Sequence, residues 1–397
     1  MRTHPRTSAL RIAIVIERFI PGAGGVENVA WRVAHELANQ GEEVTVLARE
    51  DAPGDPAASA QSTRPSEAIR VERISVSRAW QPLRVTLFSR ATARATAGDR
   101  FDVVHSFART RHQDLYRAGG GSHDDYLRRT HTGLGSALRG FSPRHRVLLN
   151  LDRRIFRDPY QRIQCASRMV ADDLVETRGV TRDRILLLPN AVDADRFSHP
   201  GALRDGARLR AELDEQADQI WLLAGSGWRR KGLATALEAM ATLNEPGLRL
   251  WVAGRDRPAP WRSKIGALGL GDRVRFLGER SDLPAVYQAV DGMLLPTRYD
   301  PFANVTLEAA AAGLPIITSA ANGAAEYLGE EIRVIADAED ATALATAIAG
   351  FSDPSTRQAF GERAQRRARA LDWAGHASAL RDEYRRIVET RACRGTR

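Results

Sequence analysis

The sequence predicts an α/β protein built from two doubly wound parallel sheets. Three observations carry this. Strand and helix patterns alternate through the first half of the chain, and the alternation starts afresh in the second half. Each half also sets a glycine-containing turn between a strand and the helix after it. In such sheets, ligands bind beyond the carboxyl ends of the strands. At 397 residues and 43% hydrophobic, the chain is long enough to bury two cores. No period of about 20–50 residues recurs, which excludes a solenoid.

Residues 11–16 form an apolar run expected to be a buried strand, followed by the loop 21–25. Val26, Val29, Ala30, Val33 and Leu37 then recur at the spacing of one helical face, and Gly41 ends that helix. A second strand is expected over 43–48, a loop rich in Ala, Pro, Ser and Asp over 51–68, and strands over 69–76, 101–107, 162–166 and 185–188. After Pro189-Asn190-Ala191-Val192-Asp193, a polar stretch through Asp218 marks the domain change. The domains are expected at 1–190 and 191–372, with a helical tail over 373–397 packing back toward the first. In the second half, strands are expected over 220–224, 248–253, 274–277 and 293–295, and helices over 232–243 and 281–290.

The net charge of +9 comes from Arg far more than from Lys. It fits either a genome that encodes Arg freely or attraction to phosphates, whether of nucleic acid, anionic lipid or phosphorylated sugars. Cys165 and Cys393 make neither a disulfide framework nor a metal cage, so a reducing cytoplasm is the expected compartment. No apolar run approaches the roughly 18 residues of a membrane span, and with no long apolar stretch before Glu17 a secretory signal is not expected. The expectation is a cytoplasmic protein with peripheral contact to an anionic membrane.

Residues 296–323 hold the most chemistry. Asp300 sits in a Pro-containing loop after an apolar run, and Glu308 follows eight residues later. Asn304 is an N-cap candidate, residues 305–312 are mostly helix formers, and Gly313 and Pro315 stop the helix before a strand over 315–318. A helix whose first turn leaves amides unpaired receives an anion, and Glu308 could accept hydrogen bonds from vicinal hydroxyls. Together they describe a phosphate joined to sugars. A capped surface helix with an incidental acid is the plain alternative.

Gly225-Ser226-Gly227-Trp228-Arg229-Arg230-Lys231-Gly232 follows a strand and opens a helix, but its glycine comes after the lysine, so it is not a Walker loop. Three cations beside a helix N-terminus are an unfavourable set unless an anion joins them. Gly22-Ala23-Gly24-Gly25 resembles half of a dinucleotide fingerprint, yet the third glycine position is Glu27. Close phosphate approach, NAD binding and a plain turn all stay open there. His123 lies beside a triple glycine and two acids, a candidate substrate contact. His105 ends a strand, and His112 reads as a surface residue. Asp124-Asp125 lacks the Asp-x-Asp pattern of metal-dependent sugar transfer, and no His/Cys/Asp/Glu set has ligand spacing, so metal independence is expected.

These motifs resemble the retaining GT-B glycosyltransferases of family 4, within it the lipopolysaccharide core glucosyltransferase type. The resemblance covers Gly24-Gly25-Val26-Glu27, Pro189-Asn190-Ala191-Val192-Asp193, the 225–232 loop and the 296–323 block. It implies a GT-B fold, two Rossmann-like domains facing a central cleft, with the acceptor on the N-terminal side. A hexose would pass with retention from a UDP-, GDP- or ADP-sugar to a hydroxyl of a glycan or lipid-linked acceptor, in lipopolysaccharide or another envelope polysaccharide, with no cofactor. Arg230 and Lys231 match the diphosphate clamp, and Glu308 matches the second glutamate of the Glu-x7-Glu signature, a ribose ligand. Asp300 stands where the first glutamate is expected and would face the donor sugar. Backbone amides of Phe302, Ala303, Asn304, Val305 and Thr306 would hold sugar and phosphate oxygens. Gly24 and Gly25 would approach the diphosphate, and His123 would orient sugar or acceptor. Two other functions share such an architecture: a sugar-nucleotide epimerase or NAD-type dehydrogenase, and a non-catalytic basic protein binding membrane or nucleic acid. No nucleic-acid-binding motif supports the latter, and the cations cluster at a strand end.

Overall fold

The computed structural model describes residues 9–51, 69–76, 80–130, 142–213 and 215–395. They form two compact units. The first takes the described residues up to Ala166, Val170–Leu188 and those from Trp373 onward; the second takes Ser167–Met169 and Pro189–Asp372.

Seven parallel strands make up the first sheet among the described residues: β1 (Arg11–Phe19), β2 (Glu43–Asp51), β3 (Ile69–Arg73), β4 (Val103–Ser106), β5 (Leu115–Arg117), β6 (Arg162–Cys165) and β7 (Ile185–Leu187). Their order is β3-β2-β1-β4-β5-β6-β7. The second sheet is also parallel, with β8 (Gln219–Ala224), β9 (Leu248–Ala253), β10 (Val274–Gly278), β11 (Gly292–Leu295), β12 (Ile316–Ser319) and β13 (Arg333–Ile335) in the order β10-β9-β8-β11-β12-β13. Strand order therefore reverses between β1 and β4 in one unit and between β8 and β11 in the other. Loops leaving such a pair diverge and open a crevice for ligand.

The β1 residues Ile12, Ile14 and Ile16 pack with Val29, Val33 and Leu37 of the helix Gly25–Asn39. Ala377, Leu380 and Tyr384 of the C-terminal helix Trp373–Gly395 join the same core, so the tail is part of the first unit. The second core gathers Trp221, Leu223, Leu233, Leu237, Leu250 and Phe351. Each fully buried side chain of this size contributes about 1.5–3 kcal/mol.

Several elements differ from the sequence expectation. Residues 194–212, expected as a polar stretch, form the helices Ala194–Ser198 and Pro200–Glu212. Asp193 caps the first, accepting from the Arg196 amide at 3.4 Å, and His199 Nδ1 caps the second, accepting from the Ala202 amide at 3.2 Å. β5 and β13 were not expected; at three residues each they carry no readable period. The expected tail forms the helix Trp373–Gly395, and a further helix, Pro354–Arg369, precedes it across a short turn. The loop expected over 51–68 lies, beyond Asp51, outside the described residues.

Candidate active site

The basic loop and the acid-bearing loop leave β8 and β11, the two strands flanking the switch point of the second sheet. After β8 the chain runs through Gly225 and Gly227, both in the left-handed region, to Gly232 at φ 81°. A Cβ at Gly232 would lie 1.9 Å from the Pro296 carbonyl oxygen, so only glycine lets the two loops close on each other. The Arg230 carbonyl accepts from the Arg298 amide at 2.8 Å and from Thr297 Oγ1 at 3.1 Å, tying one loop to the other.

This framework brings Arg230, Lys231 and Asp300 together. Asp300 Oδ2 accepts from Arg230 Nη1 at 2.9 Å and from Lys231 Nζ at 3.2 Å, while Arg230 Nη1 also reaches the Tyr299 carbonyl at 2.6 Å. Lys231 and Asp300 are buried. Burial pushes the Asp300 carboxyl up, but Lys231 and Arg230 outweigh it and hold it below the usual carboxylate range. For Lys231 burial dominates, and the ammonium sits below its ordinary value despite the attraction of Asp300. Two cations thus converge on one internal carboxylate.

Asp300 is itself pinned by the turn after β12. Its amide donates to the Ala321 carbonyl at 2.9 Å, and its carbonyl accepts from the Gly323 amide at 2.9 Å. Asn322, fully buried, organises this turn. Its Nδ2 donates to Thr306 Oγ1 at 2.9 Å and Thr318 Oγ1 at 3.0 Å, and its Oδ1 accepts from the Ala303 and Ala324 amides. Sequence reading gave Asn322 no role; its place four residues after the strand 315–318, beside Gly323, was the available signal.

The acid-bearing helix is Asn304–Ala311, and its N-cap position is Ala303 rather than Asn304. Asn304 instead accepts on Oδ1 from Asn190 Nδ2 at 2.7 Å. The expectation that all five amides from Phe302 to Thr306 face a ligand is corrected. The Ala303 amide is taken by Asn322 Oδ1 at 3.3 Å and that of Thr306 by the Ala303 carbonyl at 2.9 Å. Among the described residues, the amides of Phe302, Asn304 and Val305 are the ones left open. Glu308, one turn in and half-buried, accepts from Tyr287 Oη at 2.9 Å. Burial pushes its carboxyl above the usual range, against the opposing pull of the Tyr287 hydroxyl, Arg196 and Lys231.

In the first unit, a cavity of about 640 Å³ opens at the switch point between β1 and β4. Arg18 at the end of β1 and Glu27 in the helix after it line the cavity, with Phe107 and Arg109 beyond β4, and His123, Arg144 and His145 on the helices that follow. Gly24, the N-cap, and Gly25 start the helix Gly25–Asn39 beside it, and the Gly24 carbonyl accepts from the Asn28 amide at 3.0 Å. Glu27, at the third glycine position of a dinucleotide fingerprint, is bound to Arg18 at 2.6 Å. His123 begins the helix His123–Thr130 and is 8% exposed. Its amide donates to Asp152 Oδ2 at 2.6 Å, and its Nε2 lies 2.7 Å from His145 Nδ1. Burial, then Arg109, His145 and Arg144, lowers its ring to about 4. His145, Arg109 and Asp152 were missed; nothing local in sequence sets them beside His123. His105 takes no part: it is fully buried against the C-terminal helix, its Nδ1 2.7 Å from Tyr384 Oη, and burial lowers it to about 3.

Two Rossmann-like units, one carrying a cationic loop and two carboxylates at its switch point, define a sugar-transferring enzyme of the GT-B type. Comparison with known proteins agrees. Residues 23–196 match the model for Glycosyltransferase Family 4, and residues 207–367 match that for Glycosyl transferases group 1. The chain is 27% identical over 394 residues to a D-inositol 3-phosphate glycosyltransferase of Corynebacterium glutamicum, covering 91% of each. It is 34% identical over 155 residues to the lipopolysaccharide glucosyltransferase WaaG of Escherichia coli, covering 37% of this chain and 41% of WaaG. A match to the D-inositol 3-phosphate glycosyltransferase of Salinispora tropica, 28% identical, covers 57% of this chain and spans 51% of that relative's length. The crystal structure of WaaG, a glycosyltransferase involved in lipopolysaccharide biosynthesis, superposes with a TM-score of 0.78 at 22% identity, covering 94% of this chain and 99% of that one; this likeness is one of fold. The chain belongs to the GT-B glycosyltransferases of family 4.

Proposed function

We propose that this enzyme moves a hexose from a nucleoside-diphosphate sugar to a hydroxyl of a glycan or lipid-linked acceptor of the cell envelope, with retention at the anomeric carbon. The observation that carries this is the convergence of Arg230 Nη1 and Lys231 Nζ on Asp300 Oδ2 at 2.9 and 3.2 Å, beside the open amides of Asn304 and Val305.

The chemical problem is the negative charge that builds on the departing diphosphate. Arg230, Lys231 and the helix amides would stabilise it, and donors aimed where charge develops contribute about 3 kcal/mol each. That compensation comes from the protein, so the reading requires no divalent metal. Asp300 would face the donor sugar and support the cationic character of the anomeric carbon. Glu308 would accept hydrogen bonds from the ribose diol. The leaving phosphate oxygen can take the acceptor proton, so no protein nucleophile is needed. The cavity holding His123 would take the acceptor. The relatives include a lipopolysaccharide glucosyltransferase and a lipopolysaccharide core biosynthesis glycosyltransferase; these support an envelope acceptor, and contact with anionic lipid at the inner face of the membrane follows from that reading.

A thermal-shift screen of UDP-, GDP- and ADP-sugars beside NAD tests the proposal. A ligand at 100 times its dissociation constant adds about 2.7 kcal/mol to stability. One nucleotide sugar should raise the melting temperature without added metal. Stabilisation by NAD alone would refute it.

A further inference from the structure

We propose that Tyr287 is a positioning residue for Glu308, aiming its carboxylate at the nucleotide without touching the nucleotide itself. This rests on the reading that Glu308 holds the ribose. Tyr287 lies in the helix Leu283–Gln288, fully buried, its ring edge-on to Phe197 at 5.7 Å. Its hydroxyl is 2.9 Å from Glu308 Oε2 and 3.3 Å from the Val305 carbonyl oxygen. One hydroxyl has one proton to give, and the shorter contact to a charged acceptor takes it.

Two consequences follow from the geometry. Oε2 is committed to the protein interior, so Oε1 is the oxygen that remains for a ligand hydroxyl. The carboxylate is also fixed in rotation, because a buried ring cannot swing away from it. The charged groups acting on Glu308 are Arg196, from the helix Ala194–Ser198, and Lys231, from the loop after β8. Burial raises the carboxyl, and the Tyr287 hydroxyl is the largest influence against that rise. Without the hydroxyl, Glu308 would take up a proton at higher pH and present a neutral, freely rotating acid.

The test is calorimetric binding of UDP-, GDP- and ADP-glucose, whose phosphates carry no proton that titrates in this range, to the wild type, Tyr287→Phe and Glu308→Gln between pH 5 and 8.5, using the tightest of the three. Phenylalanine keeps the ring packing, and melting curves report that the variants are folded. The wild type should lose affinity only on the acid side. In Tyr287→Phe that acid limb should move up by about one pH unit, so that binding is up to about tenfold weaker on the acid side of the wild-type limb and alike well above it, as expected for a lost hydrogen bond to a charged group. Glu308→Gln should bind weakly with no acid limb. If Glu308→Gln binds weakly but Tyr287→Phe traces the wild type, or is weaker by the same factor at every pH, the positioning role is overturned and the ribose reading stands. If Glu308→Gln binds as the wild type does, or none of the three nucleotide sugars binds, the ribose reading itself fails.

Discussion

Lys231 and Asp300 meet 3.2 Å apart, Nζ to Oδ2, on loops leaving the two strands that flank the switch point of the second sheet. Arg230 reaches the same oxygen, so one internal acid holds both of the cations that the proposed reading assigns to a donor diphosphate. Leaving them uncompensated in a buried site would be costly.

Asp300→Ala should therefore destabilise the protein by about 3 kcal/mol, because it strands a buried ammonium. The depressed Asp300 carboxyl contributes stability that is fully present above its unfolded value of 3.8. That contribution is lost as pH falls through the lower folded value. Urea melts of both proteins at pH 7 and in the acid range check this; the gap between them should close only well below pH 4. A gap already closed at pH 5 would contradict the ion pair.

Asp300→Glu lengthens the carboxylate arm by one methylene and restores the family signature. It should change which donor sugar is turned over fastest while leaving the affinity for the free nucleoside diphosphate within about twofold, since one methylene in a sugar pocket alters selectivity by about 10–200-fold. Competition assays over a panel of donor sugars measure the change. An unaltered ranking would remove Asp300 from sugar selection.

Asn322 makes four hydrogen bonds with buried partners. Asn322→Ala leaves Thr306, Thr318 and two amides to be satisfied, at a cost of about 2–4 kcal/mol, and frees the turn that holds Asp300. Chemical denaturation should show the loss of stability, and turnover should fall with it. A variant of wild-type stability would contradict the role given to this amide.

His123, held near 4 by burial and by Arg109, His145 and Arg144, is neutral at pH 7. Its ring should titrate by NMR with a midpoint near 4. Because the folded value lies below the ordinary 6.5, the unfolded chain takes the proton first, and stability falls as pH drops from about 6.5 toward 4. A midpoint near 6.5 would mean the ring is not packed against those cations.

Much of this was legible in the sequence, and the limits have physical causes. β1 and β8 announced themselves as apolar runs, because strands buried on both faces need no alternation. The pairing of Arg230 and Lys231 with an acid 70 residues away was legible only as complementarity of motifs; the shared oxygen was not. Arginine supplies nearly all the cationic charge, yet the buried cation paired with Asp300 is Lys231, one of two lysines in the chain. Side-chain partners drawn from distant elements, such as Tyr287 for Glu308 and His145 for His123, leave no local pattern. The first-turn amides were overcounted because capping from Asn322 comes from another strand end.

The central claim is that Arg230 and Lys231 clamp a diphosphate. The most direct measurement is the affinity difference between a nucleoside diphosphate and its parent nucleoside, taken by calorimetry on the wild type and on Lys231→Ala without added metal. In the wild type the diphosphate should bind far more tightly. In Lys231→Ala that difference should shrink by about 10- to 100-fold, with a turnover loss of about 10²–10³, while nucleoside binding stays the same. A difference of equal size in both proteins would contradict the account.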